Sequence, residues 1–261
     1  MIVSIATTRR MLPAALVISF AMPATLLAQS AGEHIALGDR DAAALHASGA
    51  LRHYEEAIKA DPRSYAALWK ATREAVDLGE FNSDGAERDR LYSLAETYAR
   101  RAVEANPSGA EGHFNLARAI GRKALTLGKR DQVKYAGDVR TQALEALKLN
   151  PRHPGALHVM GRWNFEVMQL SGMTRFVAKK FLGGQVFDSA NWEDAQRYLE
   201  ESVAVEPQRL VHHLDLARVY AIRGEKDKAR AQFEAAMRGT VAEYNDKRYQ
   251  SLAAEELKEL R

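Results

Sequence analysis

Four prolines set the frame of this 261-residue chain. Pro62, Pro107, Pro151 and Pro207 each separate two alanine-rich amphipathic stretches: YEEAIKADPRSYAALWKA, RRAVEANPSGAEGHFNLARAI, ALEALKLNPRHPGALHVMGRW and LEESVAVEPQRLVHHLDLARVY. A proline ring suits the first turn of a helix and clashes inside one, so each motif reads as helix, tight turn, helix. A small side chain, Ala57, Ala102, Ala146 or Ser202, stands five residues before each proline, where helices of neighbouring hairpins must approach closely. The expected fold class is all-α, a right-handed stack of roughly four helical hairpins.

In the last unit Leu216, Ala217, Tyr220, Gly224, Ala229, Phe233 and Ala236 fall at the spacing of the tetratricopeptide consensus, which this unit resembles. Leu216 and Tyr220 form one apolar stripe, Ala229, Phe233 and Ala236 another, and Gly224 supplies the turn. The prolines, however, stand 45, 44 and 56 residues apart, against about 34 for the standard repeat. The extra length predicts longer helices or loops, and residues 82–89 (NSDGAERD) and 127–131 (LGKRD) read as two such loops. The expected organisation is a signal peptide at 1–28, a linker at 29–44, the repeat domain at 45–239 with an insertion at 164–192, and a charged capping helix at 240–261.

The leader reading rests on Arg9 and Arg10, the uncharged apolar stretch that follows them to Ala28, and the absence of an acidic residue before Glu33. Cleavage is expected after Ala28 or after Ser30, giving an exported protein, periplasmic or extracellular. The alternative is an uncleaved anchor that tethers the chain to a membrane. The formal charge of +3 includes Arg9 and Arg10, so a chain starting at Gln29 carries two fewer charges, +1. No run of Lys and Arg suggests a nucleic-acid footprint. There is no cysteine, which excludes disulfides, thiolate metal sites and cysteine nucleophiles.

The segment GRWNFEVMQLSGMTRFVAKKFLGG, the helical stretch at 194–206, the proline repeat after it and the closing acidic-basic helix together resemble the regulator of microtubule dynamics family, from about Leu45 to the C-terminus. The resemblance implies a compact helical repeat domain without a known catalytic centre, linked in animals to microtubules and in a membrane-tethered branch to lipid handling. A cleaved export signal would place this chain, read as a bacterial relative, where tubulin is absent.

Eleven residues beyond each proline stands an arginine: Arg73, Arg118, Arg162 and Arg218. One turn earlier stand Trp69, Phe114, His158 and Leu214. In the repeat register both sets lie on the first helix of each hairpin, facing the concave groove. Guanidinium binds carboxylate or phosphate through paired hydrogen bonds, so one reading is a groove for an acidic peptide or chain end. The other reading pairs each arginine with a glutamate on a neighbouring helix, such as Glu56, Glu145 or Glu201.

The insertion carries Met173, Phe176, Val177 and Phe181 on one side of a helix with Arg175 and Lys179 opposite. Such a helix packs into its own domain or lies on an anionic membrane. Flanked by Gly172, Gly183 and Gly184, it reads as a lid or wall of the groove, or as part of a phospholipid cavity. His212 and His213 are adjacent, and His153 and His158 lack the i, i+4 spacing of a helical metal pair. No phosphate loop, serine elbow or HExxH occurs, so the expectation is a non-enzymatic protein without metal or cofactor that binds a protein, a peptide or a phospholipid.

Overall fold

The computed structural model describes residues 30–181 and 184–260. The expected leader and Gly183 lie outside the described residues, as do the side chains of Val177 and Phe181. The elements are α1 (Ala31–Ala43), α2 (Ala47–Ala60), α3 (Tyr65–Glu80), α4 (Gly85–Ala105), α5 (Ala110–Ala124), α6 (Lys129–Leu149), α7 (Pro154–Gln169), α8 (Gly172–Phe181), a 3-10 turn (Gly184–Ser189), α9 (Trp192–Val205), α10 (Leu210–Ile222), α11 (Lys226–Arg238) and α12 (Asp246–Glu259). The all-α expectation holds, and no strand occurs among the described residues.

The four prolines make one turn four times. At each, the backbone N–H before the proline donates to the carbonyl of the small residue four positions back: Asp61 to Ala57, Asn106 to Ala102, Asn150 to Ala146 and Glu206 to Ser202. In the first three, the Asp or Asn side chain also accepts from the residue after the proline, Arg63, Ser108 or Arg152. That Asx turn redirects the chain without a glycine. Ala57, Ala102, Ala146 and Ser202 are fully buried at these crossings.

The described residues form five hairpins, α1/α2, α3/α4, α5/α6, α7/α9 and α10/α11, followed by α12. Consecutive first helices (α1, α3, α5, α7, α10) pack on one another, a closeness that the second helices do not match. The first helices therefore line the inner face. The extra hairpin comes from α1, which replaces the linker expected at 29–44. Ser30 caps it, accepting from the Glu33 N–H, while the Glu33 carboxylate takes the Ser30 N–H at 2.7 Å. Gly38 on α1 lies directly against the ring of Tyr54, where a Cβ would not fit. The low helix propensity that made this stretch read as linker is thus the condition of its packing.

The wide proline spacing comes from helix length. Helices α4 and α6 each run 21 residues, and most of the two expected loops is helical. Asp84 accepts from the Ala86 and Glu87 N–H groups as the N-cap of α4, and Gly128 precedes the first residue of α6. Turn-favouring residues mark caps here. The insertion begins at 170, since 164–169 belong to α7. Trp163 joins the core cluster of the first hairpins and Phe165 that of the last ones, so α7 is buried on both sides. Leu216, Ala217, Tyr220, Ala229, Phe233 and Ala236 all sit in the latter cluster, and Gly224 turns the chain with φ 79°.

Candidate interaction groove

The arginine ladder lies where the repeat register puts it, on α3, α5, α7 and α10, and each arginine carries an acidic partner inside the protein. Arg73 pairs with the adjacent Glu74 at 2.8 Å and sits over the Trp69 ring, 5.8 Å from its centroid. Arg118 donates to Asp77 of α3 at 2.5 Å. Arg162 donates to Asp215 of α10 at 2.7 Å and also to Glu166. Arg218 grips Glu256 of α12 through Nε at 2.8 Å and Nη2 at 2.5 Å, and reaches Asp215 at 2.8 Å. The glutamates suggested from sequence are engaged elsewhere: Glu56 with Lys59, Glu145 with Lys148, Glu201 with Arg197.

These pairs gather into two charged clusters. In the first, Glu74, Asp77 and Glu80, three residues apart on α3, face Arg73 and the Arg118 and Arg122 of α5, with Arg122 on Glu80. Burial pushes the Glu74 carboxyl up to about 7; Arg73 opposes the rise, and the like charges of Asp77 and Glu243 add to it. Burial works against the charge of Arg118, but Asp77 and Glu80 hold it above the usual arginine range. In the second cluster, Asp215 accepts from His158, Arg162 and Arg218. Burial would raise Asp215, yet Arg162, His158 and Arg218 hold it well below the usual carboxylate range. Burial lowers His158, which as a neutral ring donates Nε2–H to Asp215 at 2.7 Å.

The apolar partners of the ladder diverge. Trp69 is half-buried, Phe114 stacks on the His153 ring at 4.7 Å, and His158 lies 4.8 Å from the His212 ring. Leu214 is fully buried in the core and lines no open groove. These four residues therefore do not make one continuous exposed strip.

What covers the inner face is the C-terminal segment. After Gly239, residues 240–245 run across it; Glu243 pairs with Arg209, and the Asn245 amide donates to the backbone carbonyl of Asp77 at 2.9 Å. Asp246 then accepts from the Ala242 and Glu243 N–H groups at 2.8 and 2.7 Å, which folds the segment into α12. Helix α12 packs on α10 and α11 and sends Tyr249 edge-on against Phe81, ring centroids 5.6 Å apart. Beside this strap two clefts remain. One, of about 270 Å³, is bordered by Asp39, Lys70, Arg73, Glu74, Glu243 and Tyr244. A wider one, of about 710 Å³, is bordered by Arg52, Glu55, Phe81, Arg90, Tyr244 and Arg248.

The insertion lies elsewhere. Ala178 of α8 and Phe187 of the 3-10 turn join the core around Trp163, and that turn packs on α6, while Met173 and Phe176 are exposed. The lid expected from Gly172, Gly183 and Gly184 is thus not the element that crosses the groove. Sequence reasoning missed Asp77, Glu80, Asp215, Glu243, Asn245, Tyr249 and Glu256. None recurs at a fixed offset from the prolines, so the repeat offered no signal for them.

The family model described as regulator of microtubule dynamics protein 1-3 matches residues 35–261. The chain belongs to this family. A bovine member, regulator of microtubule dynamics protein 1, is 26% identical over 159 residues, 60% of this chain and 48% of that protein. Human regulator of microtubule dynamics protein 2 is 22% identical over 162 residues, 62% of this chain and 39% of that protein. The match thus spans about half the length of these family members or less. A thermophilic tetratricopeptide-repeat protein of Thermus thermophilus superposes with a TM-score of 0.62 at 21% identity, covering 86% of this chain and 99% of that one. Family members and that structure share the helical repeat fold, a kind of fold that suggests a protein-interaction scaffold.

Proposed function

We propose that this protein is a non-catalytic interaction scaffold, acting outside the cytoplasm, whose inner face holds an acidic segment of a partner polypeptide. The observation that carries this reading is the two-pronged grip of Arg218 on Glu256. The inner face there already holds an acidic helix that belongs to no hairpin, by the planar fork that suits a carboxylate. Arg73, bound only to its neighbour Glu74 and bordering the smaller cleft, offers a second guanidinium at the other end of that face. Charged borders on both clefts favour a polypeptide over a lipid tail, which needs an enclosed apolar volume.

Fluorescence anisotropy of the full chain with labelled peptides ending in acidic residues, against amidated neutral analogues, tests the reading. Binding of the acidic set, weakened at least fivefold by Arg73→Gln and by raised salt, is the expected result. Equal binding of both sets would overturn it. Native mass spectrometry of the protein from its own host supplies the lipid arm: a stoichiometric phospholipid would replace the peptide reading with the lipid one. Export is tested by N-terminal sequencing of the same material, with a start at Gln29 or Ala31 expected and a start at Met1 counting against cleavage. The names of the family members concern microtubule dynamics; for an exported chain we propose that this role does not carry over.

A further inference from the structure

We propose that the C-terminal segment 240–260 is a replaceable resident of the inner face, and that the partner is an amphipathic acidic helix of the same pattern which binds by displacing it. This rests on the interaction-scaffold reading above and names the partner's chemistry.

Three observations carry it. First, the resident makes its contacts through a short helical code. Tyr249 and Ala253 are buried and Glu256 meets Arg218, an aromatic, a small residue and a carboxylate at i, i+4 and i+7, along one helix face. Second, its fit is poor where it crosses α3. Glu243 pairs with Arg209, yet its charge also works against Glu74 and Glu206, two carboxylates it faces on the inner side. Both clefts, about 270 and 710 Å³, border the strap itself at Glu243, Tyr244 and Arg248, so the segment underfills the surface it lies on. Third, it is lightly anchored. Only Asp246, Tyr249 and Ala253 of α12 are buried, against nine residues of α10, itself an inner-face helix. A competitor that keeps the code and fills the clefts gains contacts that the resident lacks.

The test uses the full chain and a labelled synthetic peptide with the sequence of residues 240–261. Asn245→Ala and, separately, the milder Glu256→Gln loosen the resident without touching any hairpin helix. The loosened chains are expected to bind the peptide at least tenfold more tightly than the unaltered chain. On binding, the amides of 246–259 should exchange faster, while those of α3, α5 and α10 stay protected. Arg218→Glu should abolish binding, and a peptide carrying Glu256→Arg should restore it. If the loosened chains keep their hairpin protection and still refuse the peptide, α12 is a permanent cap and this inference falls. Retained binding of acidic-ended peptides in an Arg73-dependent manner would then leave the scaffold reading standing by itself.

Discussion

The two charged clusters of the inner face are built from the same repeat position and behave in opposite ways. Around Asp215, one buried carboxylate is shared by His158, Arg162 and Arg218, and that surplus of donors keeps it ionised. Around α3, three carboxylates stand three residues apart, Asp77 adds its charge to that of Glu243 across the strap, and Glu74 gives up its charge near neutral pH. An arginine ladder is therefore only half of a description. The local count of acids facing each rung decides whether the site is a locked ion cluster or one that titrates.

The contrast is tested hardest at Asp215. Replacing it with asparagine leaves cationic donors buried without a counter-charge, a class of change that costs about 3–5 kcal/mol. Urea denaturation should show that loss at neutral pH; a change below about 1 kcal/mol would mean that the cluster is not a stabilising unit.

Glu74 should respond with the other sign. Its carboxyl titrates near 7 in the folded chain and near 4.5 as a free side chain, so the folded state holds the extra proton. Its contribution to stability is complete below about pH 4.5 and is lost as the pH rises through 7, by roughly 3 kcal/mol at about 1.4 kcal/mol per unit. Glu74→Gln should flatten this part of the stability profile. Over the same range Asp215 stays ionised in the folded chain, and its contribution declines only as the pH falls toward and below the usual carboxylate range. A stability profile from pH 4 to pH 9, taken on both variants, separates the clusters.

The smallest effect belongs to the link between them. Glu256→Gln weakens a half-exposed ion pair and should cost about 0.5–1 kcal/mol of global stability. Its signature is local: faster amide exchange in α12 with none in α3. Equal acceleration in both helices would show that the clusters are coupled through the strap more tightly than their separate chemistry implies.

Much of the fold is written at the prolines. The small residue, the Asp or Asn and the proline itself make the same turn each time, and the final unit spells out its stripes in full. The places where the reading slipped share one physical cause, that a residue's local preference has two outlets. Gly38 reads as a helix breaker and serves as the seat of the Tyr54 ring. Asp84 and Gly85 read as loop and open a 21-residue helix. The site was less legible. The arginines repeat because each hairpin needs a cation at one place on its first helix. Their partners do not repeat, because Asp77, Asp215 and Glu256 come from three different elements, and the choice of partner depends on how far the C-terminal segment reaches. That the insertion is not the cover could not be read from its glycines, since the cover's own anchor is a side-chain amide on a backbone carbonyl 168 residues away.

That single tie changes the mechanics of the chain. A stack of hairpins touching only their neighbours behaves as a spring open at both ends, free to fray one unit at a time. The bond from Asn245 to the Asp77 carbonyl joins the far end back to the second hairpin, so pulling on the C-terminus loads α3 before the units between have begun to part. The molecule is a clasped spring, in which fraying at the C-terminal end waits on the release of one clasp.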